Sequence, residues 1–213
     1  PMREMGRLHL KKEELKKALG FFEQAIEINR LDVTSYHYIG QIFYRMGKVD
    51  KAIEAFSRAM DINPRHSDRA LKFANLLLKK KKLKEAEKIL ATVLRFCDNN
   101  LDLKEDVGEL CNDYGLYAIS IKAFRELLRD DPERIYLNKK LGIALSRSGQ
   151  TKEALAILEK ALDKFGDDVE LLLELSKAYF SINMLVRADK WATQVIRLDP
   201  DNLEAKEILE KCL

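Results

Sequence analysis

Residues 33–64 read VTSYHYIGQIFYRMGKVDKAIEAFSRAMDINP, and this stretch decides the fold. Apolar and small residues recur at helical spacing in each half: Tyr36, Ile39, Gly40 and Phe43 in the first, then Ala52, Phe56 and Ala59 in the second. Gly47 separates the two patterns, and Pro64 follows the second. Since glycine favours turns and proline cannot continue a helix, the stretch predicts two amphipathic helices joined by a short turn.

The pattern returns every 34 residues along the whole chain. The position of Gly40 is tiny in every other copy, as Gly6, Ala74, Gly108, Gly142 and Ser176. The position of Ala52 is tiny as well, as Ala18, Ala86, Ser120, Ala154 and Ala188. Two antiparallel helices approach closely only where side chains are small, so these positions predict the crossing point inside each hairpin. The bulky residues, Phe56 among them, are expected to fill the space between neighbouring hairpins.

This spacing resembles the tetratricopeptide repeat motif at every signature position. The resemblance covers essentially the whole chain and implies an all-α fold, a right-handed superhelical solenoid of antiparallel helix hairpins. We expect a single array with repeats at 1–32, 33–66, 67–100, 101–134, 135–168 and 169–202. Residues 203–213 are expected to form a capping helix that covers the last apolar surface, although a cut seventh repeat would read the same.

A few positions depart from the motif. Lys81 stands where the turn usually carries glycine, and Ser120 and Ser176 replace small apolar residues. These repeats are therefore expected to be locally looser. Three short polar residues near the junctions are expected to make turns and helix caps: Asp61, Asp130 and Asn202.

Composition narrows the classes of function. With 38 Lys and Arg against 35 Asp and Glu, the net charge of +3 argues against a surface dedicated to nucleic acid. No apolar run reaches the roughly 18 residues that a membrane span needs. The three cysteines lack metal-type spacing, which favours a reducing, cytoplasmic location. Because the chain starts at Pro1 and not at Met, a preceding targeting segment stays open.

No catalytic constellation emerges from the sequence, which predicts a protein that is not an enzyme and holds no cofactor or metal. The three histidines, His9, His37 and His66, have no partner at metal-ligand spacing. Residues 79–84 read KKKKLK and are placed by the repeat register in the turn of the third repeat. This run is interpreted as a solvated turn, with a patch for acidic protein, lipid headgroups or nucleic acid as the alternative.

The resemblance also implies where a partner would bind, because in this family the first helices line the concave face. The groove-facing positions are the second, fifth, sixth, ninth, twelfth and thirteenth of each repeat. In repeats one to three they include Arg3, Arg7, His37, Tyr38, Gln41, Tyr44, Arg45, Lys72, Asn75 and Lys79. In repeat four they are the acidic Asp102, Glu105, Asp106, Glu109 and Asp113, and in repeat five the basic Lys139, Lys140 and Arg147.

Two interpretations of these alternating charges stay open. The blocks can pair with each other across adjacent repeats, or they can form a polar groove that reads a peptide or helix of complementary charge. A clamp for the carboxylate tails of chaperones is not expected, since both of its asparagines are missing. We therefore predict a protein-interaction scaffold or adaptor. The alternatives are a self-assembling homo-oligomer and the regulatory part of a larger enzyme or signalling protein.

Overall fold

The computed structural model describes residues 1–63, 67–97, 100–134 and 136–212. Across these residues the chain forms thirteen α-helices and no strand. The helices are α1 (Met2–Lys11), α2 (Leu15–Ile28), α3 (Val33–Arg45), α4 (Val49–Ile62), α5 (Ser67–Lys79), α6 (Leu83–Arg95), α7 (Leu101–Asp113), α8 (Tyr117–Asp130), α9 (Tyr136–Arg147), α10 (Thr151–Phe165), α11 (Val169–Ser181), α12 (Leu185–Leu198) and α13 (Leu203–Cys212). The prediction of an all-α fold built from helix hairpins is confirmed.

The turns inside the hairpins follow the 34-residue register. Three residues separate the two helices of every hairpin, as at 46–48 between α3 and α4. The middle residue has a positive φ in all six: Glu13, Gly47, Lys81, Gly115, Gly149 and Asn183. This left-handed conformation reverses the chain after the first helix, and it is the reason that glycine is favoured there.

The tiny residues mark the crossing points, as the sequence predicts. A Cβ atom built on Gly40 would lie 2.8 Å from Cζ of Phe56, and one built on Gly108 would lie 2.7 Å from Cε1 of Phe124. Phe56 therefore packs inside its own hairpin. It also reaches the next repeat, since its ring centroid lies 4.8 Å from that of Phe73. Phe56 thus packs both inside its own hairpin and between neighbouring hairpins, whereas the sequence predicted only the second.

The helix caps also recur at 34-residue spacing, although two of the three expected caps are wrong. The side-chain oxygens of Asp32, Asn100, Asp168 and Asn202 accept backbone N–H groups three residues on, at the start of α3, α7, α11 and α13. Asp61 and Asp130 instead lie in the last turns of α4 and α8, because these helices continue to Ile62 and Asp130 itself.

Among the described residues, two helices end shortly before a proline. Helix α8 ends two residues before Pro132, and α12 ends two residues before Pro200. Pro64 and His66 lie outside the described residues.

The chain divides into two compact units, Pro1–Leu103 and Lys104–Leu213. In the first unit Phe22, Ala18 and Ile42 are fully buried at the centre of a core cluster. In the second, Phe124, Leu158 and Leu175 are fully buried. The expectation of one continuous array over the whole chain stays a prediction.

Candidate functional site: the first-helix face

The first helices of repeats one and two enclose a surface pocket of about 500 Å³. It is lined by Glu4, Arg7, Leu8, Leu10, Lys11, Tyr38 and Arg45. Of the predicted groove residues, the structure thus brings Arg7, Tyr38 and Arg45 together. The lining combines basic, aromatic and apolar side chains with one carboxylate, that of Glu4.

Tyr38 is held in place from both sides. Its ring stacks on Phe22 with centroids 4.8 Å apart and an interplanar angle of 13°. Its hydroxyl accepts a hydrogen bond from Nε of Arg7 at 2.9 Å. This bond and the one from Arg7 to Glu4 raise the pKa of the guanidinium, and an arginine side chain is charged at any physiological pH even without such a shift. Arg7 is therefore a permanently positive group at the pocket wall.

Further basic residues extend this face toward the third repeat. Arg45, Lys72 and Lys79 are exposed and form no ion pair within the described residues, and Gln41 is exposed as well. Asn75 is half-buried. Tyr44 lies edge-on against Phe73 with centroids 4.7 Å apart, and Nζ of Lys82 lies 5.2 Å from its ring. Tyr44 thus links the second repeat to the third and presents only part of its ring.

His37, one of the predicted groove residues, is buried. Its side chain is only 3% exposed, and its ring centroid lies 5.7 Å from that of Phe56 on α4. The fifth position of a repeat lies about 40° around the helix from the ninth, at the margin of the groove-facing stripe. There the ring turns toward the second helix of its own hairpin, so His37 belongs to the packing.

In the second unit the acidic first helix, α7, is paired with the basic α9. Glu105 accepts hydrogen bonds from the hydroxyl of Tyr136 on α9 at 2.8 Å and from Nη1 of Arg134, which precedes α9, at 2.8 Å. Nζ of Lys140 lies 3.8 Å from Glu105 and bonds Glu109 directly. These contacts occupy two of the five carboxylates predicted to face the groove.

Helix α9 is paired in turn with α11. Nζ of Lys139 lies 2.8 Å from Asp168 and 2.9 Å from Glu170. Burial lowers the pKa of Lys139, but its hydrogen bonds to the two carboxylates outweigh burial and raise it. Arg147 donates from Nε and Nη2 to Glu174, which is 2% exposed. In this unit, alternating charges therefore pair across adjacent repeats, the first of the two interpretations that the sequence left open.

The remaining groove candidates are exposed. Arg3 lies 3.4 Å from Asp32, and Asp102 is exposed on α7. Asp106 and Asp113 are exposed and form no ion pair among the described residues. Lys104 shares α7 with the acidic residues but turns inward: its side chain is 1% exposed and lies 2.9 Å from Asp130 and 3.6 Å from Glu126 on α8.

A second pocket, of about 440 Å³, lies between α7 and α9. Asn112 and Ile143 contribute to its wall together with Lys140. The amide oxygen of Asn112 is buried and has no hydrogen-bond partner among the described residues. Asn112 and Tyr136 were not among the predicted groove residues, although both occupy groove-facing positions of their repeats, the twelfth and the second. Reading every repeat at all six positions would have found them.

Two other features of the described residues bear on function. No three His, Cys, Asp or Glu side chains gather there in a way that could hold a metal ion. None of the described helices is both long and apolar enough to cross a bilayer.

Comparison with known proteins agrees with this architecture. The family model described as anaphase-promoting complex, cyclosome, subunit 3 matches residues 11–93, and a tetratricopeptide repeat model matches residues 145–212. The tetratricopeptide repeat protein 21 homolog of Caenorhabditis elegans is 28% identical over 96% of this chain and 17% of its own length. DnaJ homolog subfamily C member 3 of Gallus gallus is 24% identical over 93% of this chain and 42% of its own length. The chain thus spans less than half the length of these relatives.

Solved structures share the fold. YrrB, described as a tetratricopeptide repeat protein with an unusual peptide-binding site, superposes with a TM-score of 0.57 at 18% identity and covers 90% of this chain and 98% of its own. The complex of Naa15 and Naa10 bound to HypK-THB contains a chain with the same TM-score and identity, matched over 100% of this chain and 33% of its own. With the repeat register, the hairpins and the two family-model matches in agreement, the chain is a tetratricopeptide repeat protein.

Proposed function

We propose that the protein is a non-enzymatic interaction scaffold whose first unit binds an acidic segment of a partner protein along α1, α3 and α5. Its tetratricopeptide relatives and structural neighbours are protein-interaction scaffolds, which supports the general role. The choice of unit rests on the charges described above.

The carrying observation is that three cations on the first-helix face of the first unit are unpaired in the described part of the chain, although Arg3 and Arg7 on the same face are paired with Asp32 and Glu4. On the first-helix face of the first unit, Arg45, Lys72 and Lys79 form no ion pair within the described residues. On the same face of the second unit, Lys139 and Arg147 are bound to Glu170 and Glu174 of the next repeat. Unpaired cations are available to a ligand, whereas paired ones must first give up a partner. The first unit is therefore the better site for an incoming carboxylate.

The pocket would hold one acidic side chain of the bound peptide and so anchor the peptide. Arg7 is charged and held by Tyr38, and Leu8 and Leu10 give apolar area beside it. A peptide side chain of Glu or Asp would place its methylene carbons on the leucines and its carboxylate on the unpaired Arg45, while Arg7 stays bound to Glu4. Charge along the rest of the face would contribute orientation and association rate more than affinity.

A peptide-library selection on the purified chain tests this proposal. Bound peptides should be enriched in Asp and Glu, and Arg45→Ala should weaken binding of a selected acidic peptide by about tenfold, the loss of one charge-assisted hydrogen bond. Arg58→Ala is the matched control, because Arg58 is equally exposed but lies on the second helix α4. Selected peptides without excess acidic residues, or equal losses in the two variants, would refute the proposal.

Self-assembly is the second candidate, and one observation favours it. Ile28 and Leu31 lie three residues apart around the junction of α2 and α3, and they are 76% and 67% exposed. Apolar side chains exposed to this extent can dock onto a second copy. Light scattering at two protein concentrations tests for self-assembly. A molar mass that increases with concentration in the parent, and that equals the monomer mass in the Ile28→Ser variant, would favour assembly.

The third candidate, the regulatory or adaptor part of a larger protein, is compatible with scaffold binding. Its support is that the two relatives named above, from Caenorhabditis elegans and Gallus gallus, are each more than twice as long as this chain.

A further inference from the structure

A row of lysines runs along one edge of the first unit, where the two helices of each hairpin meet. We name Lys12, Lys16, Lys48, Lys80, Lys81 and Lys84 the basic edge. Four of them lie in the three-residue turns of repeats one to three, and Lys16 and Lys84 lie in the first turns of α2 and α6. None belongs to the pocket on the first-helix face.

These turns are neighbours in space. Met46, from the second turn, lines a surface hollow together with Glu13 and Lys16 of the first repeat. Lys82, from the third turn, lies over the ring of Tyr44 at the end of α3. Since stacked helices lie about 10 Å apart, the turns are spaced at intervals of this order along the edge. The run at 79–84 is thus one part of a longer basic surface.

The charges of the basic edge are not neutralised by carboxylates in the described part of the protein itself. All six lysines are exposed and form no ion pair within the described residues. Other cations nearby are engaged: Lys17 with Glu14, Lys51 over Phe43, and Lys82 over Tyr44. The unpaired acidic residues in the same turns and first helical turns are Glu13 and Glu85. The edge therefore carries a clear positive excess.

The whole first unit shares this excess. Pro1–Leu103 contains 21 Lys and Arg against 14 Asp and Glu, which gives a net charge of +7. Lys104–Leu213 contains 17 against 21, a net charge of −4. The modest total of +3 conceals this asymmetry. The first unit is thus much more cationic than the charge of the whole chain suggests.

An apolar residue accompanies each basic turn. Leu15, Val49 and Leu83 occupy the first helical position after the turn at 34-residue spacing; Leu83 is 44% exposed, and Leu15 and Val49 are half-buried. Lysines that flank exposed aliphatic side chains suit the boundary between headgroups and acyl chains, because the ammonium groups reach phosphates while the apolar groups enter between the lipids.

We propose that the basic edge binds the surface of an anionic phospholipid bilayer. Lysine is a compact point charge and adds about 1 kcal/mol per residue at such a surface, without the bidentate geometry that favours arginine for nucleic acid. Single-stranded nucleic acid also needs free aromatic faces. The rings nearest to the edge, Phe43 and Tyr44, lie beneath Lys51 and Lys82. A bilayer is therefore the polyanion that fits best.

Co-sedimentation of the full chain with vesicles tests the proposal. We expect binding to vesicles of phosphatidylcholine mixed with phosphatidylserine and not to phosphatidylcholine alone, and we expect the binding to be lost at high salt. The variant Lys48→Glu/Lys80→Glu/Lys84→Glu should bind the anionic vesicles at least roughly tenfold more weakly. The control Lys152→Glu/Lys160→Glu/Lys164→Glu reverses three exposed charges of the second unit and should bind as the parent does.

A second variant, Lys12→Glu/Lys16→Glu, changes only the first repeat and leaves the 79–84 run intact. Weaker vesicle binding by this variant, with an unchanged circular dichroism spectrum and unchanged affinity for the selected acidic peptide, supports the edge as a whole. Equal binding to the two kinds of vesicle would overturn the proposal. So would tighter binding to an oligonucleotide than to the anionic vesicles, or equal losses in the control. Because the peptide site is assayed separately, the two proposals can fail independently.

Discussion

At the scale of single residues, the turn inside each hairpin shows how one backbone angle limits the choice of side chain. The middle turn residue has a positive φ in every repeat, between 59° and 83°. Glycine fills this position in Gly47, Gly115 and Gly149, whereas Lys81 adopts the same conformation with a Cβ atom at φ 59°. The departure of Lys81 from the motif therefore changes the local strain and not the path of the chain.

Replacing Lys81 by glycine should stabilise the protein. The relief of left-handed strain is about 1–2 kcal/mol, and the greater freedom of glycine in the unfolded chain offsets about half of it. We expect the free energy of unfolding to rise by roughly 0.5–1 kcal/mol, measured by urea unfolding at high salt so that the lost charge counts little. The reverse change, Gly115→Lys, is the control and should destabilise. Two changes of the same sign would contradict this interpretation of the turn.

The two serines at the helix crossing differ in one hydrogen bond. Both are fully buried, but the hydroxyl of Ser176 donates to the carbonyl of Ala188 at 2.8 Å, whereas the hydroxyl of Ser120 has no partner within the described residues. We expect Ser120→Ala to raise the free energy of unfolding and Ser176→Ala to lower it, each by about 1 kcal/mol. Chemical denaturation of the two variants measures both. Equal effects would mean that the Ser120 hydroxyl is satisfied in solution.

At the scale of the helices, the close approach inside each hairpin depends on a missing side chain. Gly108 on α7 faces Phe124 on α8, and a Cβ there would lie 2.7 Å from the ring. Gly20 on α2 has nothing within 4 Å of an added Cβ. The two glycines therefore separate the effect of packing from that of helix propensity.

We expect Gly108→Ala to destabilise by about 1–3 kcal/mol through overpacking, and Gly20→Ala to stabilise by up to about 1 kcal/mol through helix propensity. Thermal unfolding followed by circular dichroism shows whether each variant is less or more stable than the parent. Gly108→Leu should cost more still, and far more than Asp106→Ala on the exposed side of the same helix. Similar melting temperatures for Gly108→Leu and Asp106→Ala would contradict the repeat register.

The order of the helices and the place of each turn could be predicted from the sequence, because periodicity and glycine placement are local signals. Whether a side chain at the edge of the groove-facing positions is buried or exposed could not be predicted. His37 and Tyr38 are adjacent in the sequence, yet His37 is buried against Phe56 and Tyr38 lines the pocket. About 100° of helical rotation separates neighbouring residues, so the packing partner decides which of the two faces solvent.

At the scale of the whole molecule, charge is divided between the two units. The second unit uses its acidic and basic side chains for pairs between repeats, such as Arg147 with Glu174 and Lys139 with Glu170. The first unit leaves many of its cations unpaired along the pocket and the basic edge. Stability and binding thus draw on the same residue types in different parts of the chain.

Salt should therefore act in opposite directions on the two units. Screening relieves repulsion among the unpaired cations of the first unit, and it weakens the partly exposed ion pairs of the second. We expect amide hydrogen exchange in α3 to slow and exchange in α9 to speed up as sodium chloride is added, measured by mass spectrometry. Parallel changes in the two helices would show that the charge division has no effect on local stability.

The sequence alone determined the repeat, its 34-residue register, the hairpins and the tiny residues at their crossings, since each depends on residues close together in the chain. It also predicted which residues carry charge on the first helices. Only the tertiary structure decided which of those charged side chains form ion pairs within the protein. Whether Glu109 meets Lys140, or Arg45 meets no carboxylate, depends on how neighbouring repeats pack and on side-chain reach across tens of residues. Electrostatic pairing is a property of distances in space, and the pattern along the chain does not contain them.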